Sequence, residues 1–214
     1  MYNILIGGAA GQGIDTTVAI LEKLLKRSGY YIFTTRDFMS RVRGGHNFSL
    51  LRFGTEEITS HSDILDGIIA LNEETIDLHK DKLTEKGFVL CDTSLAYPET
   101  DINIIKLPMN QLAKELGNGR AFASVAIGSV LKLLGEPFTY VEEIMASVMK
   151  KEILEVNINA AEAGYSRVEP LFPHLDGGFQ DYMLISGSEA LGLGAVAGGL
   201  KFYSAYPMSP STAV

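Results

Sequence analysis

Cysteine is nearly absent from this 214-residue chain: Cys91 is the only one. No disulfide can form within it, and a cysteine-ligated iron–sulfur cluster would need ligands from other chains. Long hydrophobic runs are also missing. The N-terminal apolar run Tyr2–Ile6 is far too short for a signal peptide or a membrane span, so a soluble, cytoplasmic protein with no membrane partner is expected. Basic residues are not in excess either. The formal net charge of −8 argues against a general nucleic-acid binder and makes any arginine cluster local in purpose. What remains is an ordinary globular composition, 46% hydrophobic and 21% charged, with room for one well-formed core and part of another.

Tyr2–Ile6 reads as a buried strand running into Gly7-Gly8-Ala9-Ala10-Gly11-Gln12-Gly13. A helix follows, with Ile14, Val18, Leu21 and Leu25 on one face. Lys23, Lys26 and Arg27 complement its C-terminal dipole and Gly29 stops it. Tyr30–Thr34 is a second strand, which makes this the opening of a βαβ unit with a parallel sheet. Further strands are expected at Asn47–Phe53, Gly67–Leu71, Phe88–Cys91 and Ile102–Leu107, with a helix around Glu73–Leu83. Helical patterns then cover Met109–Leu116, Ala121–Leu134, Phe138–Met149 and Glu152–Ala163. The second of these is small and apolar on several faces, which suits burial or an oligomer contact. The expected fold is α/β: a Rossmann-like, mostly parallel sheet with helices on both faces, over residues 1–165. Residues 166–180, with Pro170, Pro173 and Gly177-Gly178, read as a linker. Beyond it the pattern restarts: a strand at Asp181–Ile185, a helix at Glu189–Gly199 and a strand at Lys201–Ala205. Residues 181–214 are therefore read as the truncated start of a second α/β domain in a longer protein.

Two loops carry the chemistry. Gly7–Gly13 combines tight turning with a helix N-terminus, a setting for anions, and Gly8, Gly11, Gln12 and Gly13 are its candidate contacts. It lacks the G-x-G-x-x-G spacing of dinucleotide folds and the Lys-Ser/Thr pair of a P-loop. The second strand ends at Thr35-Arg36 and not at an acidic residue, which disfavours an NAD-type ribose contact. Taken alone, the loop reads equally well as a tight turn with no ligand. The other loop is Ser40-Arg41-Val42-Arg43-Gly44-Gly45-His46. It packs two guanidinium forks, a glycine pair and an imidazole together, and so meets an anion with side chains and bare backbone amides; a surface turn with two exposed arginines is the plainer reading. Loops at the C-terminal ends of neighbouring parallel strands share one crevice, so Gly11, Gln12 and Gly13 are expected to face Arg41, Arg43 and His46 across a phosphate-sized gap, with Ser40, Gly44 and Gly45 as further candidate contacts.

Gly-Gly-Ala-Ala-Gly-Gln-Gly followed by Ser-Arg-Val-Arg-Gly-Gly-His resembles the gamma domain of the 2-oxoacid:ferredoxin oxidoreductases. Gly187-Ser188-Glu189-Ala190-Leu191 with Tyr206-Pro207-Met208-Ser209-Pro210-Ser211-Thr212 resembles the opening of that family's alpha, or pyrimidine-binding, domain. The order gamma then alpha is similar to the large subunit of two-subunit members of the 2-oxoglutarate type. The resemblance implies thiamine-diphosphate-dependent oxidative decarboxylation of a 2-oxoacid to an acyl-CoA, with electrons passed through iron–sulfur clusters to ferredoxin. It implies that the gamma domain binds coenzyme A through the phosphate-suited loops, and that a turn hydroxyl, here Ser209 in place of threonine, lies near the substrate as the catalytic candidate. The chain has no Gly-Asp-Gly segment to begin a thiamine diphosphate and magnesium site, and no cysteine set for a cluster. Those cofactors are expected in the full complex, with a thiamine-diphosphate-binding beta subunit, ferredoxin and a homo- or hetero-oligomeric assembly as partners. This stretch alone is expected to hold no metal and to be inactive.

Plainer roles suit the remaining polar residues. His61, His79 and His174 are scattered, and His46 is read as a ligand contact and not as a proton carrier. Asp92 and Asn72 end strands, where either a site or a turn cap forms, and Cys91 reads as a buried small residue. Two alternatives stand beside the oxidoreductase reading. One is a free-standing nucleotide- or dinucleotide-binding regulatory α/β protein. The other is a purely structural domain that holds subunits together.

Overall fold

The computed structural model describes residues 1–39, 45–98, 101–178, 181–208 and 211. They fall into two compact units, Met1–Gln180 and Asp181–Val214. The first is built on six strands: β1 (Tyr2–Gly8), β2 (Tyr31–Phe38), β3 (Asn47–Gly54), β4 (Leu65–Ala70), β5 (Leu83–Asp92) and β6 (Asn103–Leu107). Their order across the sheet is β2-β3-β1-β4-β5-β6. β1, β4, β5 and β6 are mutually parallel, whereas β3 runs antiparallel to both its neighbours.

This placement of β3 corrects the expected opening. β2 follows the first helix and runs in the same direction as β1, but β3 is inserted between them. The cause is the connection: residues 39–46 alone join β2 to β3. So short a link can only reverse the chain, because a parallel crossover needs a dozen residues or more.

Helices cover both faces of the sheet. α1 (Ile14–Arg27) buries Ile14, Val18, Leu21 and Leu25 along one stripe. With α3 (Met109–Glu115), α4 (Phe122–Leu133), α5 (Val141–Val148) and α6 (Lys151–Tyr165) it shares a core with Ile4, Ile6, Leu51, Phe53 and Leu90 of the sheet. The opposite face carries α2 (Glu73–His79), whose Ile76 packs with Leu5, Ile68, Val89 and Cys91. Alternation along β1 sends Ile4 and Ile6 to one core and Leu5 to the other, as the pleat requires.

The small-residue helix α4 is buried within its own chain, against α6. A Cβ on Gly128 would strike the carbonyl oxygen of Ala161, and one on Gly164 that of Val125, so the two backbones touch where side chains are missing. Ser124 Oγ donates to the buried Asn157 Oδ1 (2.7 Å) across the same contact. The face that suited either burial or an oligomer is spent inside the unit.

Residues 166–178 run along this unit. The Leu171 and Phe172 amides donate to Leu133 O at 2.9 and 2.8 Å, and Tyr2 Oη donates to Pro173 O (3.1 Å). Tyr30 Oη lies 2.6 Å from both Leu175 O and the buried Glu136 Oε1, which is also 3.0 Å from His174 Nδ1. Burial and the Glu136 carboxylate raise the Tyr30 hydroxyl well above its ordinary range, so it stays a donor.

In the second unit, α7 (Gly187–Ala197) starts with a reciprocal capping box. Ser186 N–H donates to Glu189 Oε2 (2.7 Å) and Glu189 N–H to Ser186 Oγ (3.2 Å). The strands expected at Asp181–Ile185 and Lys201–Ala205 do not form. Their apolar residues suit a strand, but a strand exists only with a ladder partner, and none is found among the described residues. Among the described residues, no helix is long and apolar enough to cross a membrane.

Candidate ligand-binding site

Three strand ends meet at one corner of the sheet. The last residue of β1, Gly8, pairs with Asn47, the first residue of β3, and Asn47 pairs on its other side with Phe38 at the end of β2. Both loops singled out from sequence therefore leave the sheet at the same end.

The glycine loop is held in shape by Gln12. Its Oε1 accepts the Ala9 N–H (2.6 Å) and its Nε2 donates to Leu71 O (3.0 Å), tying the loop to the end of β4. A Cβ on Gly8 would come within 2.6 Å of Gln12 Oε1 and 2.9 Å of Leu71 Cβ, so this approach needs a bare backbone. Gln12 thus shapes the loop with both ends of its amide. Gly11 and Gly13 take left-handed conformations (φ +87° and +88°) that L side chains rarely adopt. Gly13 is the N-cap of α1 and supplies no side-chain cap, and the Thr17 N–H bonds back to Gly13 O at 2.9 Å. The N–H groups of the first turn are those a helix leaves without internal partners.

A cleft of about 370 Å³ opens here, lined by Ala9, Ala10, Gly11, Gly13, Ile14, Asp15 and Thr16 on one side and by Phe38 and Asn47 on the other. Among the described lining residues, the charged one is Asp15, an exposed carboxylate. The helix dipole and free amides favour an anion in this cleft, but Asp15 opposes one. Compensating positive charge has to come from beyond the described lining residues.

Gly8, Gly11, Gln12 and Gly13 lie together in the loop between β1 and α1. Ser40, Arg41, Arg43 and Gly44 lie outside the described residues, as does Ser209 in the second unit. Gly45 is described, and its carbonyl accepts from Asn47 Nδ2 (3.2 Å). His46 stands apart from the cleft. Its ring is buried on the α2 side of the sheet, 2.8 Å Nε2 to Nε2 from His79, and stacks on Phe48 with centroids 5.4 Å apart. The cause is strand alternation: His46 and Asn47 are consecutive and point to opposite faces.

The two imidazoles form a neutral pair. Burial holds His46 below its ordinary value against the pull of Glu74 and Asp37. Burial, then His46 and Lys82, push His79 down to about 4. With both rings uncharged, one Nε2–H donates to the other Nε2, and neither Nδ1 has a partner among the described residues. Gly7 admits the pair: a Cβ there would lie 3.2 Å from His46 Cε1 and 2.6 Å from Thr75 Cγ2.

Other candidates have structural roles. Asp92 accepts from the Ser94 and Asn110 amides at 2.8 Å each. Burial raises its carboxyl, but these bonds and that from the Ser94 hydroxyl outweigh it and leave the value lowered. Asn72 caps α2 by accepting the Thr75 N–H (3.0 Å). Cys91 is fully buried, and burial pushes its thiol up and away from reactivity. Among the described residues no group of three or more His, Cys, Asp or Glu side chains is arranged to hold a metal. Sequence reasoning missed Asn47, Phe38 and His79. Each is placed by register or by a contact across the sheet, for which one sequence carries no spacing signal.

The family model for pyruvate ferredoxin/flavodoxin oxidoreductase matches residues 3–167. Alpha subunits of 2-oxoacid:ferredoxin oxidoreductases from Sulfolobus sp and Saccharolobus solfataricus are 25% and 23% identical over 97% of this chain and 40% of their own length. The chain thus spans about two fifths of the length of these alpha subunits. Among solved structures, the 2-oxoglutarate:ferredoxin oxidoreductase from Magnetococcus marinus, solved with 2-oxoglutarate, coenzyme A and succinyl-CoA bound, superposes with a TM-score of 0.86. It is 26% identical and aligns over 99% of this chain and 39% of its own. A keto/oxoacid ferredoxin oxidoreductase gamma subunit from Geobacter sulfurreducens shares the fold at a TM-score of 0.68 and 22% identity, over 78% of this chain and 95% of its own. With residues 3–167 matched to its model, the chain belongs to the pyruvate ferredoxin/flavodoxin oxidoreductase family.

Proposed function

We propose that this chain is the gamma domain and the start of the alpha domain of a 2-oxoacid:ferredoxin oxidoreductase, and that its first unit binds the phosphates of coenzyme A. The carrying observation is the corner where β1, β2 and β3 end. There an uncapped helix N-terminus, a glycine loop braced by Gln12 and the chain leading to Arg41 and Arg43 border one cleft. Coenzyme A has a pyrophosphate and a 3′-phosphate, which suit free amides and guanidinium forks.

Thiamine diphosphate, in the complete enzyme, supplies the carbanion chemistry that releases carbon dioxide, and a partner chain carries most of its site. The residues of this chain bind and orient. Gly11, Gly13 and the first turn of α1 offer N–H donors to one phosphate. Arg41 and Arg43 supply the positive charge that the described lining residues lack, and offset Asp15. Ser209 is the second unit's candidate contact to substrate. The assembly works in the cytoplasm with a thiamine-diphosphate-binding beta subunit and ferredoxin. The small-residue helix α4, which lent support to a purely structural reading, is occupied by α6.

The test is the kinetics of the assembled oxidoreductase carrying Arg41→Ala and Arg43→Ala. Two lost charge-assisted hydrogen bonds raise KM for coenzyme A about a hundredfold, with KM for the 2-oxoacid unchanged. Unchanged coenzyme A kinetics would sink the assignment.

A further inference from the structure

We propose that Gln12 is a positioning residue for ligand binding, its side-chain amide holding the turn of residues 9–12 in the form that walls the cleft. The inference rests on the coenzyme A reading above, and on the part of it carried by the glycine loop and the first turn of α1. Three lining residues of the cleft, Ala9, Ala10 and Gly11, belong to this turn, and Gln12 is not among the described lining residues. The turn is closed twice between the same two residues. The Gln12 N–H donates to Ala9 O (3.2 Å), and Gln12 Oε1 accepts the Ala9 N–H (2.6 Å). Gln12 Nε2 then donates to Leu71 O at 3.0 Å. Leu71 is 8% exposed and its own N–H donates to Gly7 O (2.9 Å), so the turn is moored to a buried point at the end of β4.

An amide suits this place because it carries an acceptor for an N–H and a donor for a carbonyl on one planar group. Glutamate would set an oxygen against Leu71 O, and alanine would make neither bond. Gly8 leaves the room for it, since a Cβ there would come within 2.6 Å of Gln12 Oε1. Without the brace the turn is loose, because it contains Gly11, whose backbone has the most freedom to lose. The helix does not depend on it: Ile14, Thr17 and Val18 bury the start of α1 in the core. Loss of the amide therefore frees residues 9–12 and leaves α1 in place. A ligand would then have to order the cleft wall as it binds, which weakens binding without touching the chemistry of bound substrate.

In the assembled oxidoreductase, Gln12→Ala is expected to speed hydrogen–deuterium exchange of the peptide covering residues 7–13 about tenfold. It should raise KM for coenzyme A about tenfold, with KM for the 2-oxoacid and kcat at saturating coenzyme A within about twofold of wild type. Unchanged exchange with unchanged KM refutes the brace and leaves the coenzyme A reading standing. Faster exchange with KM for coenzyme A unchanged shows a real brace on a loop that coenzyme A does not use; the coenzyme A reading then fails and takes this role with it. A KM rise without faster exchange makes Gln12 a direct contact and overturns the positioning role, as does a fall in kcat without a KM change. Gly8→Ala wedges the same amide, so it too should raise KM for coenzyme A, and by less in the Gln12→Ala background than in wild type. Equal rises in both backgrounds overturn the proposal. Should Gln12→Ala not assemble, Gln12→Met keeps the length, removes both bonds and is judged by the same exchange and KM outcomes.

Discussion

The His46–His79 pair makes the first unit acid-sensitive in a narrow window. His79 is 5% exposed, and its imidazole is pushed down to about 4, first by burial and then by His46 and Lys82. Unfolded, it titrates at about 6.5. The folded value lies below the unfolded one, so above pH 6.5 neither state is protonated and nothing is lost. As pH falls from 6.5 towards 4 the unfolded chain takes up a proton that the folded chain refuses, and stability drops. The loss is about 2 kcal/mol at pH 5 and levels near 3 kcal/mol below pH 4. His46, lowered by its own burial while Glu74 and Asp37 pull the other way, adds in the same direction. The assay is urea unfolding of the chain followed by far-ultraviolet circular dichroism at intervals from pH 8 to 5, with His79→Phe as comparison. With a slope of about 2 kcal/mol per molar urea, the wild-type midpoint falls by about 1 M over this range. His79→Phe leaves the His46 Nε2 without a partner and starts less stable by about 1 to 3 kcal/mol. It has no second imidazole to protonate, so the two curves converge on acidification. A gap between wild type and variant that is the same at every pH would refute the reasoning. So would an NMR titration of the His79 ring with a midpoint near 6.5.

Two further predictions concern packing. Gly164→Ala drives a Cβ into the Val125 carbonyl at the α4–α6 contact and costs about 3 kcal/mol or more; Gly194→Ala in α7, where a Cβ meets nothing within 4 Å, gains up to about 1 kcal/mol of helix propensity, and thermal melts of the two should shift in opposite directions. Tyr30→Phe removes the hydroxyl between Glu136 and Leu175 O; it costs about 2 kcal/mol and should speed limited proteolysis within residues 166–178.

Local pattern made much of the fold legible. The apolar β1, the stripe of Ile14, Val18, Leu21 and Leu25, and the all-round apolar α4 each follow from period and composition. The position of β3 did not follow, because β2 and the segment after it look the same in sequence whether the next strand lies beside β2 or beyond it. The length of the 39–46 link was the available clue. The site was legible as glycine loop and basic segment, since both are contiguous. Gln12 was legible as a member of the loop but not as its brace, because its partner Leu71 is 59 residues away. His79 is 33 residues from His46 and joins it only because α2 packs on the face that His46 enters.

The run Gly45-His46-Asn47 shows how a pleat divides a motif that reads as one. Gly45 and His46 lead into the antiparallel strand that Asn47 opens, and the three cannot all face one ligand, because successive side chains of an extended chain leave opposite faces. His46 goes to the α2 side, into a buried pair with no room for a phosphate charge. Asn47 goes to the cleft, and its amide is spent on Met39 and Gly45. Neither side chain is left to neutralise an anion, and among the described lining residues the charge is that of Asp15. On the coenzyme A reading proposed above, anion affinity at this corner rests on the α1 amides and on Arg41 and Arg43. The histidine that looked like part of the cradle serves to seat the strand from which the segment departs.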